Sequence, residues 1–190
     1  MNTFTLHSVE ASEEASATLL QNVIEQVGFL PNVFAVSAGA PPALAAFMAL
    51  NEQFALTSFT DLEREIIHTA TSVENAAPYC VAGHTAFADM LSLDGNVIQA
   101  VRGADQVEDQ KLEALRTFTR QVVDQRGQLS DSELASFLAA GYSQDQVIEV
   151  ILGITVKIFT NFTSKITGIP LDDAFSPYVW SPRSDNRDAA

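Results

Sequence analysis

The tract from Val147 to Phe162 constrains the fold of this chain more than any other stretch. Residues such as Val147, Ile148, Val150, Ile151, Ile154 and Phe159 cover more than one face of a helix, so a helix here is buried on several sides. Glu149 and Lys157 break the tract short of the roughly 20 uninterrupted apolar residues that a membrane span needs. It is therefore expected to be a core helix, with no membrane partner. Two arrangements bury such a helix: the centre of a monomeric bundle, or an interface between subunits. In a chain of only 190 residues the second is favoured, which makes a homo-oligomer the expectation.

The rest of the chain also has a helical pattern. The periodicity predicts helices over about 13–27, 41–56, 61–73, 78–91, 108–126, 130–139 and 145–166, with a short helical turn around 30–37. Thr60 with Glu63, and Ser130 with Glu133, have the spacing of capping boxes, in which hydroxyl and carboxylate satisfy each other's exposed backbone N–H groups. Ser143 or Gln144 opens the last long helix, while Gly127 and Gly141 follow helical patterns as C-terminal caps. No run of alternating apolar residues is flanked by turns, so the fold class is all-α. One domain is expected over residues 1–180. Residues 181–190, without an apolar side chain larger than alanine, are expected to form a disordered tail.

Charge and cysteine content exclude several functions. With 24 acidic and 10 basic residues the net charge is −14, and no Lys/Arg cluster in the sequence offers a footprint for phosphates, so no nucleic-acid partner is expected. The first residues, with Glu10, Glu13 and Glu14, lack the basic and then apolar blocks of a secretory signal, which predicts a cytoplasmic protein. The single cysteine agrees, because no internal disulfide framework is possible.

That cysteine, Cys80, stands four residues before His84. Pro78 fits the first position of a helix, which makes Ala77 the capping residue and places Cys80 in the first turn. Unpaired N–H groups and the positive end of the helix dipole favour a thiolate there, and such settings lower a cysteine pKa from about 8.5 into the range of roughly 3.5 to 7.5. His84 lies on the same face, in position to exchange a proton with the sulfur or with a substrate. The bland alternative is a small buried thiol beside a hydrogen-bonded core histidine. Glu65 and His68 are three apart on the preceding helix, which a short turn joins to Cys80. Turned inward, Glu65 would complete a carboxylate, imidazole and thiol relay; turned outward, it is a surface acid. Glu74 is a rival carboxylate at a helix end. The spacing of Glu65, His68 and His84 does not bring enough ligands together for a metal site, and no cofactor is expected. Ala77 occupies the place where a Cys-x-x-Cys protein has its second sulfur.

Glu65, the pair Tyr79-Cys80 and His84 resemble the signature of the alkylhydroperoxidase AhpD-like and carboxymuconolactone decarboxylase family, in which Glu is followed by Cys-x-x-Cys and, three residues later, His. Arg64-Glu65, the Asn75 turn and the stretch Ile169-Pro170-Leu171-Asp172-Asp173-Ala174-Phe175 after a long helix resemble the peroxidase-related branch. The core resemblance covers roughly residues 40–110. It implies an oligomeric all-helical bundle. It also implies that Cys80 attacks a hydroperoxide while Glu65 and His84 relay protons, and that an external thiol is the reductant. The resolving cysteine of the family would stand at Ala77, so the internal disulfide cycle cannot run.

Three functions follow from that arrangement. The first is a one-cysteine peroxidase acting on a small hydroperoxide through Cys80, Glu65 and His84. The second is a cofactor-free lyase of decarboxylase type acting on a lactone acid through His84 and Glu65. The third is a non-catalytic scaffold, which burial of Cys80 away from any cavity would favour.

Overall fold

The computed structural model describes residues 4–183, which form nine α-helices and one 3₁₀ segment, with no strand among the described residues. The helices are α1 (Glu14–Val27), α2 (Asn32–Ser37), α3 (Pro41–Ala55), α4 (Asp61–Glu74), α5 (Pro78–Met90), α6 (Gly95–Arg102), α7 (Gln110–Asp124), α8 (Asp131–Ala139) and α9 (Gln144–Thr167), followed by the 3₁₀ segment Asp173–Tyr178. The all-α expectation holds. The capping boxes form as the spacing predicts: Thr60 and Glu63 cap α4, and Ser130 and Glu133 cap α8. A third box, Ser143 with Gln146, fixes the start of α9 at Ser143. Gly127 and Gly141 take positive φ, which lets the chain leave α7 and α8 in the left-handed conformation.

Two elements were not expected. Helix α6 is short and opens on Gly95-Asn96, two poor helix formers; its signal is Asp94, whose carboxylate accepts from the N–H groups of Asn96 and Val97. The 3₁₀ segment contains Pro177 and is held by packing of Phe175 rather than by its own propensity.

Helix α4 is the hub, packed against α5, α6, α7 and α9. Its Ile66 and Ile67 meet Phe54 of α3, Leu115 and Phe118 of α7, and Val150 and Ile154 of α9 in the main core. Gly153 allows the close crossing of α9: a Cβ there would lie 2.6 Å from Phe54 and 2.8 Å from Ile67. By length and composition alone α9 would suffice to cross a membrane. Here it packs among α2, α3, α4, α5 and α7 as a core helix. It buries Val150, Ile154, Val156 and Lys157, and leaves Ile148, Ile151, Phe162 and Ile166 exposed.

A second cluster lies over the start of α5. Val33 and Val36 of α2, Ala77, Tyr79, Cys80, Ala82 and Ala86 of α5, and Ile169 and Phe175 from the C-terminal segment pack together. Of the tail expected to be disordered, residues 184–190 lie outside the described ones. Arg183 is described and pairs with Asp105 at 2.9 Å.

Candidate active site

The turn between α4 and α5 delivers Cys80. Ala76 has φ of 46°, a left-handed conformation that is strained for alanine, and the N–H groups of Ala76 and Ala77 donate to Val73 and Ser72 to close α4. Pro78 then starts α5 with Ala77 as its cap, which makes no side-chain capping bond. Cys80 is in the first turn, 4% exposed, and its Sγ lies 3.7 Å from Ser164 Oγ of α9. Ala77 is fully buried in the same cluster, three residues from the thiol.

One turn further on, His84 faces the interior. Its Nδ1 is 2.7 Å from Glu65 Oε2 and its Nε2 is 2.5 Å from Lys157 Nζ. Glu65 is thus an inward acid and not a surface one, at 9% exposure, and Lys157 is buried on α9. The partners assign the tautomer: a neutral His84 donates from Nδ1 to the carboxylate and accepts at Nε2 from the amine. Glu74 is not part of this cluster; it lines a separate cavity with Arg116 and Arg120.

The structure adds Lys157 to the residues singled out from the sequence and brings His68, named there only beside Glu65 and as a metal ligand, into the same cluster. Lys157 stood out there only as a break in an apolar tract. A lysine on the buried face of a helix has to meet an acceptor inside the protein, and here the acceptor is His84. His68 packs its ring 4.7 Å from those of Phe54 and His84, with Nδ1 4.0 Å from Glu65 Oε1. Both its ring nitrogens are buried without a hydrogen-bond partner.

Burial sets the charges of this cluster. Desolvation pushes the Glu65 carboxyl above its ordinary range, against the pull of His68, Lys157 and Arg64. Desolvation and then the Lys157 charge hold His84 well below the usual imidazole value. His68 is held well below it too, by desolvation first and then by His84 and Lys157. Lys157 is lowered by desolvation, while Cys80 and Glu65 favour its charged form. An acid raised and an imidazole lowered across one hydrogen bond have proton affinities moved toward each other, the arrangement that eases passing a proton between them.

The sequence spacing does not predict a metal cluster, yet the ligand atoms of Glu65, His68 and His84 all lie within 4.8 Å of one another. Tertiary packing makes the difference, because the third ligand comes from the next helix. Both nitrogens of His84 are, however, already bound, one to Glu65 and one to Lys157. A cation would have to displace one of these and sit beside the lysine, so the donors form a relay rather than a cage.

Tyr79, next to Cys80, ties down the cover of the site. Its hydroxyl donates to Asp172 Oδ2 at 2.5 Å and accepts from Val33 N–H at 3.2 Å, while Asp172 also accepts from Asn32 N–H. Burial, then the Asp172 hydrogen bond, push the Tyr79 phenol far above its ordinary value. Phe175 lies against Gly83, where a Cβ would come within 3.2 Å of its ring. A cavity of about 190 Å³ flanks this turn, lined by Pro78, Tyr79, Ala82, Ile169, Leu171 and Trp180 among others; Cys80 does not line it.

Comparison with solved structures places this architecture. An AhpD-core structure, an uncharacterized peroxidase-related protein from Ralstonia eutropha JMP134, superposes with a TM-score of 0.82 at 22% identity, over 90% of this chain and 93% of the other. The chain has the AhpD-like fold. A peroxidase-related protein from Silicibacter sp. TM1040 shares it with a TM-score of 0.75 at 18% identity, over 86% and 87% of the two chains. So does a cysteine-to-alanine variant of the debrominase Bmp8 in complex with 2,3,4-tribromopyrrole, with a TM-score of 0.80 at 17% identity, over 94% and 95%. No protein-family model matches the sequence, and no curated protein matches it significantly. Within the AhpD-like fold, Glu65, Cys80 and His84 sit on adjacent helices, and Lys157 reaches them from the long helix that follows.

Proposed function

We propose that this protein is a one-cysteine thiol peroxidase. The observation that carries the reading is the hydrogen-bonded chain Glu65–His84–Lys157, whose lysine end lies within electrostatic reach of Cys80. Burying ionisable groups costs stability, and a buried cluster with opposed shifts is where proton chemistry is often found. The peroxidase-related names among proteins of the same fold support the same class of reaction.

In this mechanism the Cys80 thiol gives its proton to Lys157, and His84 and Glu65 share the charge. The thiolate attacks one oxygen of a hydroperoxide, the O–O bond breaks, and the departing alkoxide takes the proton back from the relay as an alcohol. Cys80 is left as a sulfenic acid. With Ala77 in place of a second sulfur, one external thiol condenses with the sulfenic acid to a mixed disulfide, releasing water. A second thiol then releases the Cys80 thiol and an external disulfide. A reducing compartment such as the cytoplasm supplies those thiols. The exposed stripe Ile148, Ile151, Phe162 and Ile166 on α9 supports assembly into a homo-oligomer through that helix.

The test is labelling by a sulfenic-acid probe after mild peroxide treatment, with peroxide consumption followed in the presence and absence of added thiol. A labelled Cys80 and thiol-dependent turnover are expected; no label and no consumption would sink the reading. One observation favours a second reading, a non-catalytic scaffold: Cys80 is 4% exposed and lines neither cavity. On that reading the thiol resists peroxide and alkylating reagents alike until the protein unfolds.

A further inference from the structure

A cavity larger than the one beside Tyr79 lies away from Cys80. A space of about 460 Å³ lies where α4, α6, α7 and the C-terminal segment meet, within the size range of small-molecule sites. Arg102, Arg116, Arg120 and Arg183 all line it, four of the 10 basic residues of a chain whose net charge is −14. The sequence shows no such cluster because they come from positions spread over three segments. Folding concentrates positive charge at one place on an otherwise acidic protein.

The arginines are not all consumed by the fold. Arg116 uses Nε and one terminal nitrogen on Glu113, and Arg183 pairs with Asp105. Arg102 donates from one nitrogen to the carbonyls of Tyr178 and Val179. Each guanidinium has five N–H donors, so all three keep some free. Arg120 is exposed and makes no hydrogen bond or ion pair among the described residues. Glu74 is the one acid in the lining. The remaining wall is apolar: Ala70 and Val73 of α4, Val101 of α6, and the indole of Trp180, which is held in place by its N–H donating to Arg102 O at 2.7 Å. Guanidinium groups bind carboxylate and phosphate oxygens in pairs, and an indole beside them stacks on a planar body.

We infer that this cavity binds a small organic anion, a carboxylate or phosphate ester on a planar apolar body, with Arg120 as a principal contact and Trp180 as the stacking wall. The site shares no residue with Cys80, Glu65, His84 or Lys157, so it stands independently of the peroxidase reading.

Trp180 is the only tryptophan in the chain and lines both this cavity and the smaller one beside Tyr79, so its emission reports binding at either, and the arginine variants tell the two apart. The full-length protein is titrated with phenyl phosphate and with benzoate, exciting the indole selectively, and with benzyl alcohol as the neutral counterpart. At least one anion is expected to give a saturable change that weakens as salt is raised, and benzyl alcohol none. Arg120→Gln, and independently Arg183→Gln, should each weaken binding about tenfold or more, the loss that goes with one charge-assisted contact. Circular dichroism checks that both variants are folded. The inference is overturned if neither anion gives a saturable change, if benzyl alcohol binds as well, or if both folded variants bind as the parent does.

Discussion

Glu65→Gln separates a working acid from a structural one. The amide keeps the volume of the side chain and an oxygen to accept from His84 Nδ1, 2.7 Å away, and removes only the ionisation. Because burial raises the Glu65 carboxyl above its ordinary value of 4.5, the folded protein holds a proton there that the unfolded chain has released. Stability therefore falls as pH rises, at up to about 1.4 kcal/mol per pH unit, from the ordinary value up to the folded one, and levels off above it. The variant lacks this loss. Subtracting the two stability curves cancels the contributions of the other acids, so the variant's advantage should be near zero at pH 4.5 and grow with pH to a plateau. Urea unfolding followed by circular dichroism at a series of pH values measures it. Peroxide reactivity of Cys80 should fall in the same variant by about 10²- to 10⁴-fold, the usual contribution of a general acid or base. More stability with less reactivity is the signature of a group kept for chemistry. A difference curve that is flat or declines with pH would refute the reasoning, since it would mean that the His68, Lys157 and Arg64 charges offset or outweigh desolvation.

Lys157→Met tests the other end of the relay: it leaves His84 Nε2 buried without its donor, so stability should fall by about 1–3 kcal/mol, and Cys80 oxidation should slow at least about tenfold in stopped-flow assays. His68→Leu addresses the unpaired imidazole. Its folded pKa is depressed, so the unfolded chain takes up a proton below pH 6.5 that the folded one does not, and stability is lost as pH falls; the variant should lose up to about 1.4 kcal/mol per pH unit less than the parent in that interval, measured by urea unfolding. Gly153→Ala should destabilise by about 1–3 kcal/mol in thermal or chemical denaturation, because the new methyl meets Phe54 at 2.6 Å and Ile67 at 2.8 Å; an unchanged midpoint would mean that α9 does not cross as closely as described. In light scattering the parent should run as an oligomer and the double variant Ile151→Glu, Ile166→Glu as a folded monomer, since both side chains are exposed and outside the core.

The fold was largely legible because its helices carry local signals. Thr60 and Ser130 announce α4 and α8 through residues three positions away, and the apolar periodicity of 145–166 needs no knowledge of its neighbours. Helix α6 escaped because its content is eight residues opening on Gly95, so that tertiary contact with α4 and α5, and not propensity, decides it. The 3₁₀ segment escaped for the same reason, being held by Phe175 against Phe29, Tyr79 and Phe87.

At the site, legibility follows sequence distance. Cys80 and His84 share one helix face, and Glu65 is one short turn away, so spacing alone brings them near. Lys157 lies 73 positions beyond His84, and nothing local says where its amine goes. What the sequence does contain is an energetic contradiction: a charged side chain in the tract that must be most buried. Such a contradiction is resolved only by an internal partner, and the partner has to be an acceptor on a helix that α9 crosses closely. Gly153, one turn before Lys157, permits a close crossing over α3 and α4, beside which His84 of α5 receives the lysine, and Ser164, further along the same helix, brings its hydroxyl to the Cys80 thiol. The long helix thus places both a cation and a hydroxyl on residues of α5, His84 and Cys80. Its apolar character makes it the core of the fold, and its few polar residues make it the third side of the site.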